Sequence, residues 1–117
     1  MNLYVDESRP CPPGWMPART ITEAIEILAT HEVHTVSLDY DIDLFIDVEV
    51  PSRRGVKTVQ ITVRSEETWA SVARYVALMP EKDTYEHGAV GGFGRPKVQY
   101  HTANPKGEAI MRDILDE

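Results

Sequence analysis

Cysteine occurs once, at Cys11, so no internal disulfide can form and a disulfide-stapled secreted scaffold is excluded. No apolar run nears the roughly 20 residues needed to cross a bilayer, so no membrane partner is expected. The first residues, Met1 to Asp6, lack the basic start and apolar stretch of a signal peptide, and a cytoplasmic location is the expectation. Internal repeats and low-complexity tracts are missing too. Basic charge is in short supply: 12 Lys and Arg stand against 19 Asp and Glu, a net charge of −7. General binding to duplex DNA is therefore not expected, because it relies on cations that release counterions from the phosphate backbone. What remains is 117 residues, 42% apolar and 26% charged. That is enough to bury one core, so a single domain is expected over residues 1–117.

The acidic excess is confined to one half. Residues 1–50 hold ten acids and two bases, whereas residues 51–117 hold nine acids and ten bases. Asymmetry of this kind signals either a solvated face or a cation site.

Periodicity divides the chain into elements. Asn2–Val5 reads as a buried strand stopping at Asp6-Glu7. The stretch from Ser8 to Pro17, with four prolines and Gly14, excludes helix and central strand, and Trp15 anchors it to the body. Thr20-Ile21-Thr22-Glu23 fits a capping box and opens a helix over about 21–31. Val33–Leu38 reads as a strand stopping at Asp39-Tyr40-Asp41, which makes a βαβ unit with both acidic ends on one edge. Over 44–63 the apolar residues alternate on both sides of Pro51-Ser52-Arg53-Arg54-Gly55, the pattern of an antiparallel hairpin with one buried face. Completion of the sheet is the plain reading of that hairpin, and an arm projecting to a protein partner is the alternative. Ser65 is expected to cap a second helix, with Glu66 and Glu67 in its first turn and Trp69, Val72, Ala73 and Val76 as its stripe. Residues 80–96, rich in glycine, show no period and read as a flexible loop. Lys97–Tyr100 is a last strand, and Asn104-Pro105 opens a final helix that buries Ile110, Met111, Ile114 and Leu115. The fold class is α/β, with a parallel three-stranded core, flanking helices and an added hairpin.

Three strand ends carry the chemistry: Asp6-Glu7, Asp39-Tyr40-Asp41 and His101-Thr102-Ala103-Asn104. Parallel strands would deliver all three to one rim, where open sheets bind ligands. Carboxylates crowded there at about 4 Å repel by some 4 kcal/mol per pair. They need a cation, a retained proton or greater separation; otherwise they simply cap turns and face water. Oxygen donors of this kind suit Mg²⁺ or Mn²⁺. Asp39-x-Asp41-x-Asp43 is not a calcium loop, because Leu44 stands at the glycine position and Val50 at the glutamate position. The glycines of 88–94 lack the ending of a phosphate loop. The first turn after Asn104-Pro105 offers amides to an anion beside Thr102 and His101. His101 reads equally as a general acid or base and as a structural histidine. His31 and His34 read as surface residues, His87 could act only if its loop closed, and Cys11 has no base nearby.

These residues resemble the cyclic-phosphate processing receiver domain family, a shortened stand-alone relative of response-regulator receiver domains. The resemblance rests on Leu3-Tyr4-Val5-Asp6-Glu7-Ser8-Arg9-Pro10, Gly14-Trp15, Ala24-Ile25-Glu26-Ile27-Leu28, Ser37-Leu38-Asp39-Tyr40-Asp41 and His101-Thr102-Ala103-Asn104-Pro105-Lys106-Gly107. It implies a small receiver-like, flavodoxin-like three-layer fold. It also implies a divalent metal on Asp6, Glu7, Asp39 and Asp41, with Asp39 matching the receiver's phospho-acceptor. Thr102 would meet a phosphoryl oxygen, and Arg9, Asn104 and Lys106 would help hold the phosphate. Two positions differ from the family: Glu7 replaces an Asp and Tyr40 a central His. The strand bearing the receiver's lysine is absent, leaving Lys106 or Arg9 to supply that charge.

The reaction implied is hydrolysis of cyclic or terminal phosphates of a nucleotide or RNA end, with Asp39, His101 and Thr102 catalytic. The alternatives are a receiver-like binding module that recruits a partner through the hairpin, and an acidic inhibitor acting through residues 39–49.

Overall fold

The computed structural model describes residues 1–81 and 93–117. The element order is β1 (Asn2–Val5), β2 (Trp15–Ala18), α1 (Ile21–Thr30), β3 (Thr35–Leu38), β4 (Asp41–Ser52), β5 (Gly55–Thr68), α2 (Ala70–Leu78), β6 (Lys97–Tyr100) and α3 (Pro105–Ile114). The expectations of a flexible 80–96 loop and of a role for His87 fall largely or wholly on residues 82–92, outside the described residues.

Four parallel strands form one sheet in the order β2-β1-β3-β6. The expected three-stranded core is thus widened by an edge strand, Trp15–Ala18, drawn from the proline-rich segment. Pro17 is tolerated because an edge strand can spare one backbone donor. The alternation of β1 and β3 places Leu3, Val5, Val36 and Leu38 on one face, in a core shared with Ala24 and Leu28 of α1, Val72, Ala73 and Val76 of α2, Met111 of α3 and Leu115 just after it. Tyr4 and Ser37 stand on the other face.

The caps explain the helix boundaries. Thr20 Oγ1 accepts the Glu23 amide at 3.1 Å, and the Glu23 carboxylate reaches back one residue further than in a standard box, accepting the Arg19 amide at 3.1 Å. Asn104 Oδ1 accepts the Gly107 amide at 3.0 Å, with Pro105 in the first turn. The Arg95 guanidinium donates to the Ala77 and Met79 carbonyls at the end of α2, at 2.8 and 3.3 Å. Ile110, expected in the core, is 43% exposed.

Two expectations fail at the hairpin. β4 and β5 do not complete the parallel sheet but form a separate two-stranded ribbon from Asp41 to Thr68. Ser65 therefore does not cap a helix: residues 65–68 belong to β5, and α2 begins at Ala70 after Trp69, which makes no side-chain cap. The cross-strand pairing of Asp41 with Thr68 outweighs the local capping preference. The turn closes at Gly55, whose φ of +119° would strain any residue with a Cβ. The ribbon, about 40 Å long by its residue count, accounts for overall extents of 67 × 27 × 25 Å.

Tyr40 and Gly107 make a close packing contact, since a Cβ at 107 would fall on the Tyr40 ring. Gly107→Ala should therefore destabilise the protein by about 1–3 kcal/mol through overpacking, read as a lowered melting temperature. In a Tyr40→Ala background the same Gly107→Ala change should cost measurably less. An equal loss in both backgrounds would show that the two positions are not coupled.

Candidate functional site

The strand register builds the site. Val5 pairs with Ala18 on one side and Leu38 on the other, and Leu38 pairs with Tyr100. The next residue on each strand, Asp6 after Val5, Arg19 after Ala18, Asp39 after Leu38 and His101 after Tyr100, therefore emerges at one rim. The ladder extends one bond into it: the Asp6 amide donates to Ala18 O, the Asp39 amide to Val5 O and the His101 amide to Leu38 O, at 3.0–3.2 Å. The β1/β3 boundary is where the strand order reverses, the position at which doubly wound sheets bind ligands.

Asp6 is fully buried and Asp39 nearly so. One ligand atom each from Asp6, Asp39 and His101 lie within 4.8 Å of one another. Asp6 Oδ1 accepts the Ser8 and Arg9 amides, both at 2.9 Å, while Oδ2 meets His101 Nε2 at 3.0 Å and Arg9 Nε at 3.6 Å. Burial opposes ionisation of Asp6, but the Arg9 and Ser8 amides and His101 together outweigh it and hold the carboxyl below its ordinary pKa. Asp39 goes the other way. Burial raises its pKa and the Asp6 charge adds to this, against the Tyr40 amide at 2.7 Å and a bond from Thr102.

Burial also lowers the pKa of His101, although Asp6 pulls it upward. A neutral ring facing an ionised Asp6 carries its proton on Nε2, so Nδ1 accepts from the Ser37 hydroxyl at 2.7 Å. Tyr4 packs edge-on to the ring, with centroids 4.3 Å apart. Tyr4, Ser37, Asp6 and Asp39 share one face of the sheet, and period two in the sequence already contains that parity. Ser37 and Tyr4 escaped the sequence reading because the pairing register does not appear in it.

A cleft of about 390 Å³ opens on this rim, lined by Glu7, Arg9, Asp39, Asp41, Asp43, Arg64 and Thr102, among others. Arg9 is half exposed, and its guanidinium also donates to the His101 carbonyl at 2.6 Å. Glu7 lies against the root of the ribbon, where its carboxylate accepts from Trp69 Nε1 at 3.1 Å and the Asp43 amide at 3.3 Å. Asp41 accepts from Asn104 Nδ2 at 3.0 Å and pairs with Arg64 at 3.4 Å. Asp39 and Asp6 are thus brought together, whereas Glu7 and Asp41 stand around the same cleft with partners of their own. Lys106 is exposed and does not line the cleft.

The amides expected to attract an anion at α3 are largely taken. The Asn104 amide donates to Thr102 Oγ1 at 3.1 Å, Pro105 has none, and the Gly107 amide serves the cap. The cleft's own cations are Arg9 and Arg64, the second brought from β5. No local motif announced Arg64; its cross-strand pairing with Asp43 does so in the structure.

The donor set suits a hard dication. Two neighbouring carboxylates, one of which resists ionising because it is buried beside the other's charge, are donors that could hold Mg²⁺ or Mn²⁺, with a hydrogen-bonded histidine to orient Asp6.

A comparison with protein-family models matches residues 1–117, the whole chain, to the Cyclic-phosphate processing Receiver domain. No curated protein and no solved structure matches. The chain belongs to that family.

The sign of each shift predicts the pH dependence of stability. Asp39 has a raised folded pKa, so the stability tied to it is present below the unfolded carboxylate pKa and lost as pH rises through the folded value. Asp6 is depressed, and its contribution is present above the unfolded value and lost as pH falls through the folded one. Without divalent ions, Asp39→Asn should melt at or above the parent at neutral pH, by several degrees for a relief of about 1–2 kcal/mol. The gain should shrink in mild acid, and calorimetry across pH checks both.

Proposed function

We propose that this member of the cyclic-phosphate processing receiver family hydrolyses a cyclic or terminal phosphate of a nucleotide or RNA end at the β1/β3 rim. One observation carries the reading: Asp6 and Asp39 bring carboxylate oxygens within 4.8 Å of each other, and Asp39 opens onto a cleft that Arg9, Arg64 and Thr102 also line. With four carboxylates and two guanidiniums lining it, the cleft repels a lone phosphate and accepts one together with a cation. Asp6 and Asp39 would hold the Mg²⁺ or Mn²⁺, whose part is to polarise a phosphoryl oxygen.

The protein's own groups do the rest. Arg9 binds phosphate oxygens with its exposed guanidinium edge while its backbone secures Asp6. Thr102 presents its hydroxyl between Asp39 and the incoming oxygens, as the family resemblance implies. Arg64 is held on Asp41 and Asp43 at the opposite wall, at 3.4 and 3.3 Å, and offers a second cation. His101, bonded through both nitrogens, orients Asp6; service as a general acid or base requires release of that carboxylate. In the net reaction water adds across one P–O bond, its oxygen to phosphorus and its proton to the departing ribose oxygen.

A second reading, a module that binds the phosphate without turning it over, is favoured by the engagement of both His101 nitrogens. The two readings separate experimentally. Mg²⁺ or Mn²⁺ should raise the melting temperature, with a stabilisation that grows as the logarithm of concentration above Kd and reaches about 2.7 kcal/mol at a hundredfold excess. Multiple turnover of 2′,3′-cyclic nucleotides should accompany it and vanish in Asp39→Asn. Saturable metal binding with no turnover selects the binding module, and undiminished turnover in Asp39→Asn overturns the proposed site. Arg64→Gln should weaken phosphate binding about tenfold while leaving the metal response in place.

A further inference from the structure

The β4–β5 ribbon carries an apolar face with no partner among the described residues. Its register puts Leu44 opposite Val63, Ile46 opposite Ile61 and Val48 opposite Val59. Directly opposed residues share a face, so six aliphatic side chains form a continuous strip there. Leu44, Ile46, Ile61 and Val63 are each 39–47% exposed. The reverse side is mixed: Asp47 opposite Gln60 and Glu49 opposite Thr58 lie there with Phe45 opposite Thr62 and Val56 opposite Pro51. A lone two-stranded ribbon with one apolar face is marginal in water and needs a cover.

We propose that the cover is the same strip of a second copy, giving a two-fold dimer with the ribbons packed face to face and antiparallel. Charge selects both the occupant and the direction. The tip is basic, with Arg53, Arg54 and Lys57 within five residues. At the root, Ile42 and Leu44 continue the strip into a groove of about 330 Å³ whose charged lining is Glu7, Glu67 and Arg19, acidic on balance. Antiparallel stacking brings each basic tip to the partner's acidic root, whereas parallel stacking would set six cations against one another. The contact is isologous and closes at two copies. Full overlap covers roughly 40 by 10 Å of each ribbon. The relief of the side chains and the tip contacts raise this toward the ~600 Å² per copy at which specific interfaces begin.

Sedimentation equilibrium and light scattering on the full chain test this at concentrations up to about 100 µM. The parent should be dimeric. Ile46→Asp and Ile61→Asp should each weaken association at least tenfold, while Thr62→Glu on the reverse face leaves it intact. Arg53→Glu with Arg54→Glu, exposed turn positions that need not disturb folding, should weaken association in low salt. Adding Glu67→Lys should restore it. A monomeric parent, or dimers indifferent to both the strip and the tip, would overturn the proposal. Circular dichroism on each variant separates dissociation from unfolding.

Discussion

A carboxylate removed from water must be matched atom by atom, and Asp6 is where this fold meets that demand. Leaving such a charge unpaired costs several kcal/mol. Its two oxygens take the Ser8 and Arg9 amides and His101, while its backbone carbonyl accepts from the Arg19 guanidinium at 3.0 Å. One residue therefore ties the end of β1 to the following loop, to the end of β2 and to the end of β6. The loop after β1 takes its course, and the rim its shape, because these groups must meet that carboxyl.

The partner carboxyl is met less fully. Asp39 lies beside Asp6 with fewer donors, and the same burial that stabilises the scaffold makes its ionised form costly. Active sites commonly store this sort of conflict. Here it sits next to a cleft with cations at opposite walls, and for that reason the proposed chemistry is placed at this rim rather than in the apolar hollow between α1 and α2.

The ribbon is joined to the site and yet stands apart from the core. Glu7, Asp41, Asp43, Arg64 and Trp69 link its root to the rim through hydrogen bonds and ion pairs. Further out, its strands pack on nothing in the described body.

Most of the strands and helices whose side chains enter the core were legible in the sequence, because burial on one face imposes a period. Asn2–Val5, Lys97–Tyr100, α1 and α3 fall where their patterns put them, and so do the acids that end the strands. The resemblance in the motifs around Asp6, Asp39 and Thr102 likewise reached the family. Tertiary structure alone decided the strand register, the enlistment of Trp15–Ala18 as an edge, the detachment of the ribbon and the arrival of Arg64. Each depends on hydrogen bonds or charges between residues distant in the chain, and local composition carries no trace of which distant group will be opposite. Alternation says that a strand has a buried side; it cannot say what lies against it.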